Sequence, residues 1–124
     1  MKKIVCTDKA PGAIGPYSQG IQVGDLFFFS GQLPIDPKTG EMPEGIANQT
    51  KQSFENIKGL LESQGLTFND VVKTTVFLNA IEDFAAMNEI YATYFTDTFP
   101  ARSAFEVAAL PKGALVEVEV IAGK

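Results

Sequence analysis

The sequence predicts an α+β fold, a mixed sheet in the order βββαβαββ with two helices packed on one face. Three observations predict it. Short β-branched and aromatic runs, bounded by Gly and Pro, occupy both ends of the chain. In two intervening segments, 46–65 and 82–95, the apolar period changes to that of a helix. Those segments join strands by long crossovers, which implies parallel neighbours, whereas Gly-containing turns imply antiparallel ones.

The elements follow in order. "KKIVC" reads as a short strand, and "APGAIGPYSQG", with two prolines and three glycines, as an ordered loop. "IQVGDLFFFSGQ" reads as two strands joined by a turn at Gly24-Asp25. "LPIDPKTGEMPEG" is a long turn region. In "IANQTKQSFENIKGLLESQG", Ile46, Phe54, Ile57, Leu60 and Leu61 share a helical face, Thr50 and Ser53 fill its gaps, and Gly65 stops the helix. "DVVKTTVFL" is a β-branched strand. In "EDFAAMNEIYATYF" the second stripe is Phe84, Met87, Tyr91, Tyr94 and Phe95, with Glu82 and Asp83 near the positive end of the helix dipole. "RSAFEV" and "ALVEVEVIA" are strands separated by "ALPKG".

Composition narrows the function. A chain of 124 residues is expected to be a single domain, 1–124, with 45% hydrophobic and 20% charged residues. A net charge of −5 disfavours nucleic acid and anionic membrane surfaces as partners. Cys6 is the only cysteine, which excludes an internal disulfide and points to the cytoplasm. The apolar run of "MKKIVC" stops at Thr7-Asp8, short of a secretory signal. Without histidine, and with one cysteine, the chain offers no strong metal-ligand set, and neither GxGxxG nor GxxxxGK[ST] is present, so no cofactor is expected.

Two features remain unexplained by a bare helix-on-sheet layout. In "LFFFSG" both strand faces are apolar, Phe27 and Phe29 on one and Leu26 and Phe28 on the other; in "LVEVEVIA", Val116, Val118 and Val120 share one side, Glu117, Glu119 and Ile121 the other. Two helices cover only one face, so the second is expected to be covered by another subunit, with a cleft between subunits. The second feature is Arg102, the only arginine beside nine lysines. A position that alone uses arginine points to planar, bidentate carboxylate recognition. The partner is either a ligand or an internal carboxylate such as Glu106 or Glu117.

The segments "APGAIGPYSQG", "FSGQLPIDPKTGE", "KTTVFL", "DFAAMNEIYATYF" and "FPARSAFEVAALPKGALVEVEVIA" resemble the RidA/YjgF family of reactive intermediate deaminases, in order and across nearly the whole chain. The resemblance implies a chorismate mutase-like fold and a homotrimer with active sites between subunits. It also implies hydrolysis of 2-imino acids, including the 2-aminoacrylate-type intermediates released by pyridoxal-phosphate dehydratases, to 2-keto acids and ammonia. On the same basis Arg102 would grip the substrate carboxylate and Glu117 would be the acid/base group. Tyr17 and Asn88 would line the cleft, and Ser30 and Gly31 would offer main-chain contacts. Many relatives carry cysteine two residues after this arginine; Ala104 stands there instead, which leaves activity expected and substrate range open. The segment before "PARS" is also a few residues shorter than in some relatives.

Two other classes compete. A non-catalytic trimer could use the cleft to bind a 2-keto acid as a regulator, and turnover would discriminate it from an enzyme. An RNA-cleaving role is disfavoured by the acidic charge, the single arginine and the absent histidine.

Overall fold

The computed structural model describes residues 1–124. At the N-terminal side, β1 (Lys2–Val5), β2 (Gly20–Val23) and β3 (Leu26–Gln32) form an antiparallel meander. Gly24, at φ +59°, supplies the left-handed turn of the β2–β3 hairpin, a conformation that only glycine adopts freely. The chain then runs through α1 (Ile46–Ser63), β4 (Val71–Leu78), α2 (Phe84–Ala92), β5 (Ala101–Glu106) and β6 (Val116–Gly123).

Helix α1 ends as the sequence predicts, by a Schellman turn. The Leu66 amide donates to the Leu61 carbonyl at 2.9 Å and the Gly65 amide to the Glu62 carbonyl at 3.1 Å, with Gly65 at φ +71°. Helix α2 ends three residues earlier than its apolar stripe. Thr93 and Tyr94 close the last turn with tighter bonds, to the carbonyls of Ile90 and Tyr91. Tyr94 and Phe95 nevertheless reach the core. Phe54 of α1 stacks on Tyr94 at 4.9 Å and meets Tyr91 edge-on at 5.5 Å.

The six strands form one sheet in the order β1-β2-β3-β6-β4-β5. This corrects two expectations. β3 and β4, joined through α1, are not neighbours, because β6 lies between them and is antiparallel to both. β5 and β6, joined across "ALPKG", are likewise separated by β4; the one parallel pair is β4–β5. Burial explains the insertion. Val116, Val118, Val120 and Ala122 form the inward row of β6 and are all buried, so the centre of the sheet removes the most apolar surface from water. β5 has no fully buried residue and takes an edge.

Both helices lie on one face, over Phe27, Phe29, Val76, Leu78 and the β6 valines. The other face is uncovered in the single chain. Ile4, Ile21, Phe28 and Ile121 stand opposite one another across β1, β2, β3 and β6. Phe77 and Phe105 meet edge-to-face at 5.6 Å farther along the same face. Phe28, Leu26 and Phe105 remain 43–44% exposed.

Candidate active site

Arg102 is placed by the register of the parallel pair. It stands opposite Thr74 of β4, a buried residue, so its side chain emerges on the helix-covered face. There it meets α2. Phe84, Asn88 and Tyr91 follow the i, i+4, i+7 spacing that puts three side chains on one helical face. Arg102 Nη1 donates to Asn88 Oδ1 at 2.6 Å, and the guanidinium carbon lies 4.7 Å from the Tyr91 ring centre and 5.3 Å from that of Phe84. Tyr91 is itself fixed by a 2.8 Å bond between its hydroxyl and that of Thr74. No carboxylate partners the guanidinium: Glu106 accepts from the Ile81 amide at 2.9 Å instead. Arg102, Asn88, Tyr91, Ala92, Phe99 and Pro100 line an open cavity of about 410 Å³.

Glu117 belongs to a different region. It pairs with Phe77 and points to the face that the helices leave bare. Its half-buried carboxyl has a pKa raised above the ordinary 4.5, first by burial and then by the like charge of Glu119. It packs against Gly31. β3 is irregular between Phe29 and Gln32, so Ser30 and Gly31 have no Cα partner on β6. A methyl group on Gly31 would overlap the Glu117 carboxylate. Gly31→Ala is therefore expected to displace that carboxylate and to lower turnover by on the order of 10²-fold, with folding retained. Steady-state kinetics beside a thermal melt checks it, and an unchanged rate would show that the contact is incidental.

Gly31 and Tyr17 line a second cavity of about 420 Å³, together with Lys112, the one non-glycine residue at positive φ. The loop before β2 is tied down by Gln19, which is 3% exposed. Its Nε2 donates to the carbonyls of Thr7 and Pro11 at 3.0 and 2.8 Å, and its Oε1 accepts from the Thr7 amide. The Ser30 amide donates to the Gln19 carbonyl and the Ser30 hydroxyl to the Ser18 carbonyl, so both Ser30 donors are spent inside the chain. That leaves Gly31, rather than the Ser30 amide, beside the cavity.

The six residues singled out in the sequence thus fall into two groups, Arg102 with Asn88, and Tyr17, Ser30 and Gly31 with Glu117. By register Arg102 and Glu117 are two strands and three residues apart, about 14 Å between Cα atoms at ordinary strand spacings, and on opposite faces. Sequence reading placed Phe84 and Tyr91 in the core stripe and missed that they stack on the guanidinium; their spacing around Asn88 was the available signal.

The family model described as Endoribonuclease L-PSP matches residues 7–124. The chain belongs to the RidA/YjgF family. It is 50% identical to the 2-iminobutanoate/2-iminopropanoate deaminase of Escherichia coli K12, with 98% of each chain covered. It is 54% identical to a RutC family protein of Pyrococcus horikoshii, covering 100% of this chain and 99% of that one. Among solved structures, the YjgF gene product of E. coli superposes with a TM-score of 0.95 at 49% identity, covering 98% of each chain. E. coli TdcF with bound serine gives 0.95 at 45% identity, again covering 98% of each. Against the RidA/YjgF background, Ala104 lies on the same strand face as Arg102 and packs against the core. No group of three His, Cys, Asp or Glu side chains is placed to hold a metal ion, and no helix is long and apolar enough to cross a membrane.

Proposed function

We propose that this chain is a 2-iminobutanoate/2-iminopropanoate deaminase. It would act as a single-domain, chorismate mutase-like subunit of a cytoplasmic homotrimer, without metal or coenzyme. The observation that carries this reading is Arg102, a lone guanidinium at a cavity, braced by Asn88, Tyr91 and Phe84 and lacking a carboxylate partner in its own chain. Braced in this way, it can present donors to a substrate carboxylate in one orientation. The names of curated relatives at about half identity supply the chemistry: 2-imino acids such as 2-iminobutanoate and 2-iminopropanoate.

In the reaction, water attacks the iminium carbon and the C=N π pair moves to nitrogen. The resulting carbinolamine collapses to a carbonyl and ammonia leaves. Arg102 holds the carboxylate. Glu117, as carboxylate, takes a proton from the attacking water and gives it to the amine nitrogen; as the C–N bond breaks and the carbonyl forms, it accepts the carbinolamine hydroxyl proton and releases it to solvent. Its raised pKa suits the exchange, since a stronger base abstracts a proton more readily. Gly31 allows Glu117 to sit close, and Tyr17 walls the adjoining cavity.

Arg102 and Glu117 lie on opposite faces of one sheet, so a site that uses both takes them from two subunits. The bare apolar face offers the surface for that assembly. Light scattering at micromolar concentration should give three times the 13.4 kDa chain mass; a stable monomer would contradict both the trimer and the shared site. A coupled assay tests the activity. With a dehydratase releasing the imine, added chain should speed keto acid formation above the spontaneous rate. Keto acid binding without acceleration would instead favour a metabolite-binding trimer.

A further inference from the structure

The cavity beside Arg102 has a chemically divided lining. The Asn88 side-chain oxygen is engaged by Arg102, and the Tyr91 hydroxyl by Thr74. Asn88 and Arg102 make one part of the lining polar, and the Tyr91 ring, Ala92, Phe99 and Pro100 contribute carbon to the other. Phe99 stands out. It is 63% exposed, although its ring lies only 6.4 Å from that of Phe95, a buried core residue. The following Pro100 restricts its backbone to extended conformations. Phe99 is thus an apolar surface held in place at the cavity wall.

A 2-imino acid has three substituents on its planar reacting carbon. If the carboxylate is taken by Arg102 and the nitrogen faces the proton-transfer group, the side chain is the one left to meet the carbon wall. We infer that Phe99 is a specificity-determining residue, favouring imino acids whose side chains are apolar and longer than a methyl group. The inference rests on the reading of Arg102 as the carboxylate clamp. Each methylene brought from water onto such a surface is worth at most about 0.8 kcal/mol, roughly fourfold. Going from 2-iminobutanoate to its 4-methylpentanoate analogue adds two carbons, and kcat/KM should rise by up to roughly fifteenfold at that rate.

The test is a length series in two readouts. Imines from alanine, 2-aminobutanoate and leucine, released by an amino-acid oxidase, give kcat/KM. The matching 2-keto acids give Kd by calorimetry. In the parent chain both series should improve with length. Phe99→Ala should flatten them while changing the methyl member little, and Phe99→Leu should restore part of the slope. A parent series without slope, or a Phe99→Ala variant that weakens every member by the same factor, overturns the inference. If no imine is turned over but the keto acid series keeps its Phe99-dependent slope, the deaminase reading fails and the specificity assignment stands. If turnover is normal and the slope is absent, the reverse holds.

Discussion

Arg102→Ala is expected to abolish imine hydrolysis while leaving a folded assembly. The side chain is exposed and forms no ion pair within the chain, so its removal leaves no buried charge unmatched. Its loss does remove the carboxylate clamp and empties the space between Phe84 and Tyr91. Arg102→Lys is the sharper variant. Lysine keeps the charge but lacks the planar fork. Losing one of two charge-assisted hydrogen bonds, each worth ~1.5–3 kcal/mol, should weaken keto acid binding by roughly one to two orders of magnitude. Its ammonium also cannot lie flat against Tyr91 while bonding Asn88. Calorimetric titration of a 2-keto acid beside the coupled rate assay measures both effects. A lysine variant as active as the parent would mean that charge alone suffices, and an Arg102→Ala variant that merely unfolds would make the arginine structural.

Glu117→Gln should lower the rate by roughly 10²–10⁴-fold with keto acid binding largely kept, the usual range for a general acid–base group. Its pH dependence follows from the direction of the shift. If the carboxylate is the active form, the acid limb of the rate profile should fall at a pH above the ordinary 4.5. Glu119→Gln should move that limb down in part, because burial, the larger cause, remains. Stability runs the other way. A carboxyl whose pKa is raised by folding contributes stability that is full below its unfolded pKa and is lost as pH rises through the folded value. At pH 7 the Glu117 charge therefore opposes folding of the chain, and Glu117→Gln should melt no lower than the parent. Normal turnover by Glu117→Gln would show that another group activates the water.

The sequence made much of this legible because the signals are local. Alternation in "LVEVEVIA" separates Val116, Val118 and Val120 from Glu117 and Glu119 by strand geometry alone, and the structure keeps that division. The Gly65 stop and the Gly24 turn are written in single residues whose φ values few others tolerate. Where the reading fell short, the deciding contacts are distant in sequence. Tyr94 and Phe95 are apolar and correctly spaced to continue the α2 stripe, yet the helix closes at Ala92 and the two rings pack from the turn beyond it. Asn88 lines the cavity beside Arg102, and what the sequence does not show is that its oxygen also holds that arginine, 14 positions away.

By itself, the sequence determined the elements, the two-sided apolar character of the β3 strand, and the singular status of Arg102, since each depends on residue type and spacing along a few turns of chain. Only the tertiary structure decided that β6 enters between β3 and β4, and hence that Arg102 and Glu117 stand on opposite faces of one sheet. Strand order is settled by which strand buries most apolar surface at the centre, and facing is settled by the register of pairs that lie far apart in the chain. Neither quantity exists until the whole sheet has formed.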